Sequence, residues 1–357
     1  MEKVSIPNPG LFKRTIALFF ALFFLAAAAY ASPAAESKGL AETGRDSGIF
    51  APTEKIYGPN FTDNFILYIM DPDRLAGWSG RLMDHEKRYI PEQYQQLPVF
   101  GGWWGGGIPD RELLLREGVK RALITSPNPE IVDSRAADLE QLGIRILSLK
   151  AAELKDYITV LRDLGREMGI PERGEELARY GEDALAKVTA WTSGLSESEK
   201  PRVYIAHGPV GLATMQARDL LELAGGRNAI DFGGLQSWPT MTFEQVMELD
   251  PDVILVSNPD GARNVSADPK WKTLRAYKEG RLYIVPLGPF GWMHMPEVTR
   301  FIGAQWLAWK LHPDRCDLDI RAETKRFTDL FMHTNLTEAQ IDDILSSGLS
   351  GNMVKEN

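Results

Sequence analysis

A helix-and-strand unit that occurs twice, at the same spacing, constrains this chain more than any other feature. In Ser237–Ser257, SWPTMTFEQVMELDPDVILVS, Thr242 offers a hydroxyl N-cap to the run Phe243–Leu249, Asp250-Pro251-Asp252 breaks the helix, and Val253-Ile254-Leu255-Val256 follows. Four apolar residues without alternation are what a strand buried on both faces of a parallel sheet requires. In Ile108–Ser126, IPDRELLLREGVKRALITS, Pro109-Asp110 opens a helix, Glu112 sits in its first turn, Gly118 closes it and Ala122-Leu123-Ile124 is the strand. Glu112 stands as far before Ile124 as Glu244 stands before Val256. Two copies are too few for a solenoid. They predict two α/β lobes built alike, with one carboxylate at the start of a corresponding helix in each.

Between the two units, Pro171–Ser193 carries Leu177, Tyr180, Ala184, Val188 and Trp191 at steps of three and four residues, with Pro near its first position. At 1.5 Å per residue such a helix spans roughly 35 Å, the width of a small domain. The expected fold is therefore α/β, with two Rossmann-like lobes joined by one long α-helix. The expected boundaries are an N-terminal lobe over 53–168, the bridging helix over 169–198 and a C-terminal lobe over 199–357.

The N-terminus reads as an export signal. Lys3, Lys13 and Arg14 precede the apolar run Thr15–Tyr30, and Ala29-Tyr30-Ala31 has the small-x-small form of a cleavage site. The run is short for a membrane anchor. The expectation is a signal peptide over 1–31, a disordered leader over 32–52 and a mature protein in a bacterial periplasm, without lipidation because no cysteine follows the run. Cys316 is the only cysteine, so no internal disulfide can form. A formal net charge of −9 without a Lys/Arg block argues against a nucleic-acid binder that needs a basic face.

Ligands of open α/β sheets bind beyond the carboxyl ends of strands. The loops placed there are rich in aromatics: Tyr57, Trp103, Trp104, Trp238, Phe290 and Trp292. Trp103-Trp104 lies among five glycines, which leave little beside the indoles to pack against and favour ligand contact over core. His207 and His294 lie in loops of the second lobe, His294 between Met293 and Met295. An imidazole can meet a polar atom of a bound chelate, and direct metal ligation by His294 stays open. Gly101–Gly107 lacks the Gly-Lys-Ser/Thr of a phosphate loop, His85-Glu86 lacks the second histidine of a zinc protease, and no Gly-x-Ser-x-Gly elbow occurs. Nothing points to catalysis.

Taken in order, the Glu-Leu-Leu-Leu at Glu112, Ala224-Gly225-Gly226-Arg227-Asn228, Glu244-Gln245-Val246 with Asp250-Pro251-Asp252-Val253-Ile254, and Trp306-Leu307-Ala308 resemble the periplasmic substrate-binding proteins of ABC importers for iron–siderophore complexes, haem and cobalamin. The resemblance runs from about Ile56 to Leu345. It implies a non-enzymatic receptor, expected to be monomeric, with no permanent cofactor. The transported ligand is expected to be an iron complex, most of all a ferric siderophore; haem, cobalamin, a nickel chelate and a molybdate-type oxyanion are the alternatives, and a two-lobed chelatase-like enzyme is the alternative of another class. It also implies that Glu112 and Glu244 dock onto arginines of an inner-membrane permease, and that Trp238 lines the site as an aromatic does in cobalamin-binding members. Pro289-Phe290-Gly291-Trp292 is similar to a subgroup that binds metal ions, but Met293-His294-Met295 departs from the polar pair expected after it.

Overall fold

The computed structural model describes residues 50–103, 107–127, 129–215, 218–233, 239–288, 290–293 and 297–346. The expected signal peptide and most of the leader lie outside them.

The first lobe is built from β1 (Ile56–Tyr57), α1 (Phe61–Met70), α2 (Arg111–Arg116), β2 (Arg121–Ser126), α3 (Pro129–Glu140), β3 (Arg145–Lys150) and α4 (Asp156–Glu167). Its strands form one parallel sheet in the order β1-β2-β3, with Ile56 beside Arg121 and Arg121 beside Arg145. The stretch Leu75–Trp78, which reads as a strand in sequence, makes only isolated bridges, Ile56 with Leu75 and Trp78 with Val99.

α5 (Pro171–Thr192) is the long helix the periodicity predicts, and Leu177, Tyr180, Ala184 and Val188 of its stripe are fully buried. Each large side chain so buried contributes about 1.5–3 kcal/mol relative to exposure. Gly174 lets α5 lie against α4 backbone to backbone: a Cβ there would stand 2.5 Å from the Leu161 carbonyl oxygen.

The second lobe contains β4 (Arg202–Ala206), α6 (Arg218–Leu223), β5 (Arg227–Asn228), α7 (Phe243–Leu249), β6 (Val253–Val256), α8 (Pro259–Ala267), β7 (Leu282–Ile284), α9 (Arg300–Leu311), α10 (Ile320–Phe331) and α11 (Glu338–Leu345). The order of its parallel sheet is β5-β4-β6-β7, with the apolar run Val253–Val256 central and wholly buried. The segment 269–279 is a 3-10 turn at Trp271–Thr273 followed by a single helical turn, Arg275–Lys278.

The duplicated unit is visible as two capped helices. Asp110 accepts from the Leu113 amide at 2.9 Å to cap α2, and Thr242 accepts from the Gln245 amide at 3.2 Å to cap α7. α7 ends at Asp250 in the left-handed conformation, φ 40°, and the Arg275 guanidinium holds that carboxylate at 2.9 Å.

The described residues form one compact unit that holds both sheets. The C-terminal segment returns to the first lobe. Tyr68 donates to the Met332 carbonyl at 2.6 Å, and Arg88 pairs with Asp343 at 2.8 Å. Among the described residues no helix is long and apolar enough to cross a membrane.

Candidate functional site

Because each sheet is parallel, its strands deliver their carboxyl ends to one side. In the first lobe three polar side chains converge there: Asp63 in the first turn of the helix after β1, Thr125 near the end of β2, and Tyr157 at the start of the helix after β3. The Asp63 carboxylate accepts from the Thr125 amide at 2.8 Å, from the Thr125 hydroxyl at 2.6 Å and from the Asn60 side-chain amide at 2.9 Å. Three donors favour the ionised form, but Asp63 is fully buried, and burial outweighs them and pushes it up to about 7. Burial also raises the Tyr157 hydroxyl, with the charges of Glu297 and Asp63 acting in the same direction and Arg300 against it.

Those last neighbours identify the seam. Glu297 and Arg300 belong to the second lobe, and the Thr62 hydroxyl of α1 donates to the Glu297 carboxylate. Beneath this contact Phe290 packs edge-on against Phe61 and Phe65, with ring centroids 5.4 and 4.5 Å away. Arg300, the first residue of α9, donates to Asp219 at 2.6 Å, yet among the described residues its buried Nε has no hydrogen-bond partner. Its side chain is only 13% exposed. A guanidinium at a helix N-terminus adds to the positive end of the helix dipole instead of offsetting it. Arg300 can therefore take an anionic donor atom.

The sequence-predicted residues distribute unevenly about this seam. Trp103 lies on the same side of the first sheet: its amide donates to the Pro59 carbonyl at 2.9 Å, and its half-buried indole faces the Arg135 guanidinium, 5.6 Å from the ring centre. His207 follows β4 and Ser257 follows β6, and the His207 Nδ1 meets the Ser257 hydroxyl at 2.9 Å. Burial holds that imidazole below its usual range. Trp104, Trp238 and His294 lie outside the described residues.

Tyr57 and Trp292, both expected at the ligand from their place in loops, are fully buried. Tyr57 donates its hydroxyl to the Gly101 carbonyl and meets Phe100 edge-on at 5.4 Å. Trp292 donates to the Gly288 carbonyl at 3.2 Å and lies against Gly303 of α9, where a Cβ would overlap the Trp292 carbonyl oxygen at 1.8 Å. Each ring thus fills core and has its polar atom satisfied by backbone.

Glu112 and Glu244 are both exposed, each in the first turn of its helix. Three residues on, Leu115 is 49% exposed and Met247 is 53% exposed. The spacing repeated in sequence therefore yields the same surface pair twice, an acid with an apolar neighbour one turn later. Among the described residues no group of three or more His, Cys, Asp or Glu side chains is arranged to hold a metal ion.

A family model described as periplasmic binding protein matches residues 123–287. The molybdate-binding protein MolA of Haemophilus influenzae is 27% identical over 171 residues, covering 46% of this chain and 48% of that protein. Among solved structures, an ABC transporter solute binding protein from Sulfurospirillum deleyianum is 29% identical with a TM-score of 0.73, over 82% of this chain and 94% of that one. A periplasmic solute binding protein from Veillonella parvula is 25% identical with a TM-score of 0.68, over 82% and 92%. The chain spans about half the length of the curated relatives it matches, and nearly the whole of the solved ones. The matched family and these structures are solute-binding proteins of transport, not enzymes.

Proposed function

We propose that this chain, whose fold and family match are those of the periplasmic binding proteins, is the exported, non-lipidated receptor that captures a metal complex at the seam of its lobes and hands it to an ABC importer. The observation that carries the ligand class is Arg300, a cation beside which the described residues place the acids Glu297 and Asp219, with the buried Asp63 near by. A bare anion entering there meets this guanidinium together with carboxylates. A chelated cation, positive at its centre and anionic at its donor atoms, suits that mixture of signs better. A ferric siderophore is the leading member of the class. In this reading Arg300 meets a donor oxygen of the chelate, Trp103 supplies flat apolar area, and Glu112 and Glu244, each with its apolar neighbour, face the permease.

A molybdate-type oxyanion is the second reading. The likeness to MolA favours it, as does the burial of Tyr57 and Trp292, which removes two rings from the surface open to a bulky chelate. Elemental analysis and a visible absorption spectrum of protein purified from its native periplasm separate the two. Iron with a charge-transfer band is expected; molybdenum without one supports the second reading, and neither metal at any stoichiometric level rejects both.

A further inference from the structure

At the opposite pole of the second lobe, a cavity of about 540 Å³ opens between the start of β7, the end of α9 and the segment after α5. Arg281 immediately precedes β7, while Leu195 and Glu199 precede β4, so the cavity lies at the amino ends of the strands, away from His207 and Ser257. Its size is that of a site for a small organic molecule.

The charge of its lining is unusual for an acidic protein. Arg281, Lys310 and Arg315 face it. Among the described residues, none of the three has a carboxylate within ion-pair distance. Arg281 donates only a long contact to the Leu311 carbonyl at 3.4 Å, and Arg315 donates to the carbonyls of Trp191 and Ser193. The Lys310 ammonium rests on the Trp309 ring at 4.0 Å and near the Tyr283 ring at 5.0 Å. Of the two acids in the lining, Asp314 and Glu199, the second is engaged by the amide and hydroxyl of Ser196 and feels the charges of Arg315 and His312 only more weakly. A cation half removed from water and paired only with rings lacks the counter-charge that usually accompanies burial. Tyr283, Leu195, Leu311 and Pro313 supply an apolar wall beside it.

We propose that this cavity is a second binding site, for an organic anion whose carboxylate or phosphate meets Lys310 and Arg281 while its apolar body lies on Tyr283 and Leu311. The site is independent of the seam and of the transport reading given to it. A soluble metabolite and a lipid headgroup share this chemistry.

The test is titration of the mature protein with 1-naphthyl phosphate, followed by calorimetry, with inorganic phosphate as the probe lacking an apolar body. Saturable binding at one site is expected, with inorganic phosphate weaker. Lys310→Met, which keeps the stem on its rings, and Arg281→Gln should each weaken binding by roughly tenfold to a hundredfold, the usual effect of losing a hydrogen bond to a charged group. Arg300→Gln should leave it unchanged. Circular dichroism and melting of each variant establish that it is folded. Absence of saturable binding, native affinity in both cavity variants, or a loss caused by Arg300→Gln would overturn the proposal. Sedimentation with phosphatidylglycerol vesicles that disappears in the same two variants assigns the anion to a lipid; binding of the naphthyl probe without sedimentation assigns it to a soluble ligand.

Discussion

Thr62 in the first lobe donates its hydroxyl to Glu297 in the second. Phe61, the residue before Thr62, and Phe65 pack edge-on against Phe290, so polar and apolar contacts close the seam together. Replacing Thr62 with Val keeps the volume and leaves a part-buried carboxylate without that donor. The expected loss of stability is about 1–3 kcal/mol in urea unfolding. An unchanged midpoint would mean that the seam is held by its rings alone.

Asp63 gives the molecule a pH signature. Its folded value is about 7 against an ordinary 3.8. Between those values the folded protein keeps a proton that the unfolded chain has released, so the contribution of Asp63 to stability falls as pH rises from about 4 to about 7 and is level on either side. The melting temperature of the native protein relative to Asp63→Asn should decline across that window. A constant difference would show that the three hydrogen bonds to Asp63 prevail over its burial.

Glu112 and Glu244 test delivery apart from capture. Both are exposed, and both stand outside the seam contacts described above. Reversing both to Lys should leave ligand affinity within about twofold, since surface changes cost little away from a site, and should abolish import in a reconstituted transporter. Import at the wild-type rate would reject docking through these acids.

Trp103 is held by packing against the Ile124 and Ala136 cluster and by the Arg135 guanidinium. The double change Trp103→Ala with Trp104→Ala should weaken ligand binding by at least about tenfold, the scale of an aromatic contact and its buried area. Stability should fall only modestly because the ring is half exposed. Unchanged affinity would return the pair to a packing role.

Gly174 fixes the spacing of the two long helices. Gly174→Ala places a methyl 2.5 Å from the Leu161 carbonyl oxygen, and the helices must part to admit it. Overpacking of this kind costs about 1–3 kcal/mol, readable in the urea midpoint.

What could be read from residue order was what depends on local period and short-range caps. The long helix was expected over Pro171–Ser193 and occupies Pro171–Thr192, because an uninterrupted stripe of buried positions specifies its own face. The matched helices of Glu112 and Glu244 were legible for the same reason, through Asp110, Thr242 and the apolar strands that follow. The seam was not. Asp63, Thr125, Tyr157, Glu297 and Arg300 are brought together by the crossover order of the strands, and no spacing in the chain announces them. A faint signal was available for Arg300, a cation opening a helix whose next nine residues carry no charge. The burial of Tyr57 and Trp292 was not legible either, because a loop position predicts exposure only on average. Tyr57 actually ends β1, and Trp292 is received by a glycine eleven residues later, Gly303, which its own neighbourhood does not reveal.

The central claim is that a metal complex binds at the seam and is met there by Arg300. Calorimetric titration of the mature protein and of Arg300→Gln with a panel of ferric siderophores, haem, cobalamin and molybdate tests it most directly. One iron chelate should bind the native protein with micromolar or better affinity, and Arg300→Gln should weaken it by roughly tenfold to a hundredfold without loss of fold. No binding by any member of the panel, or equal affinity in the two proteins, would contradict it.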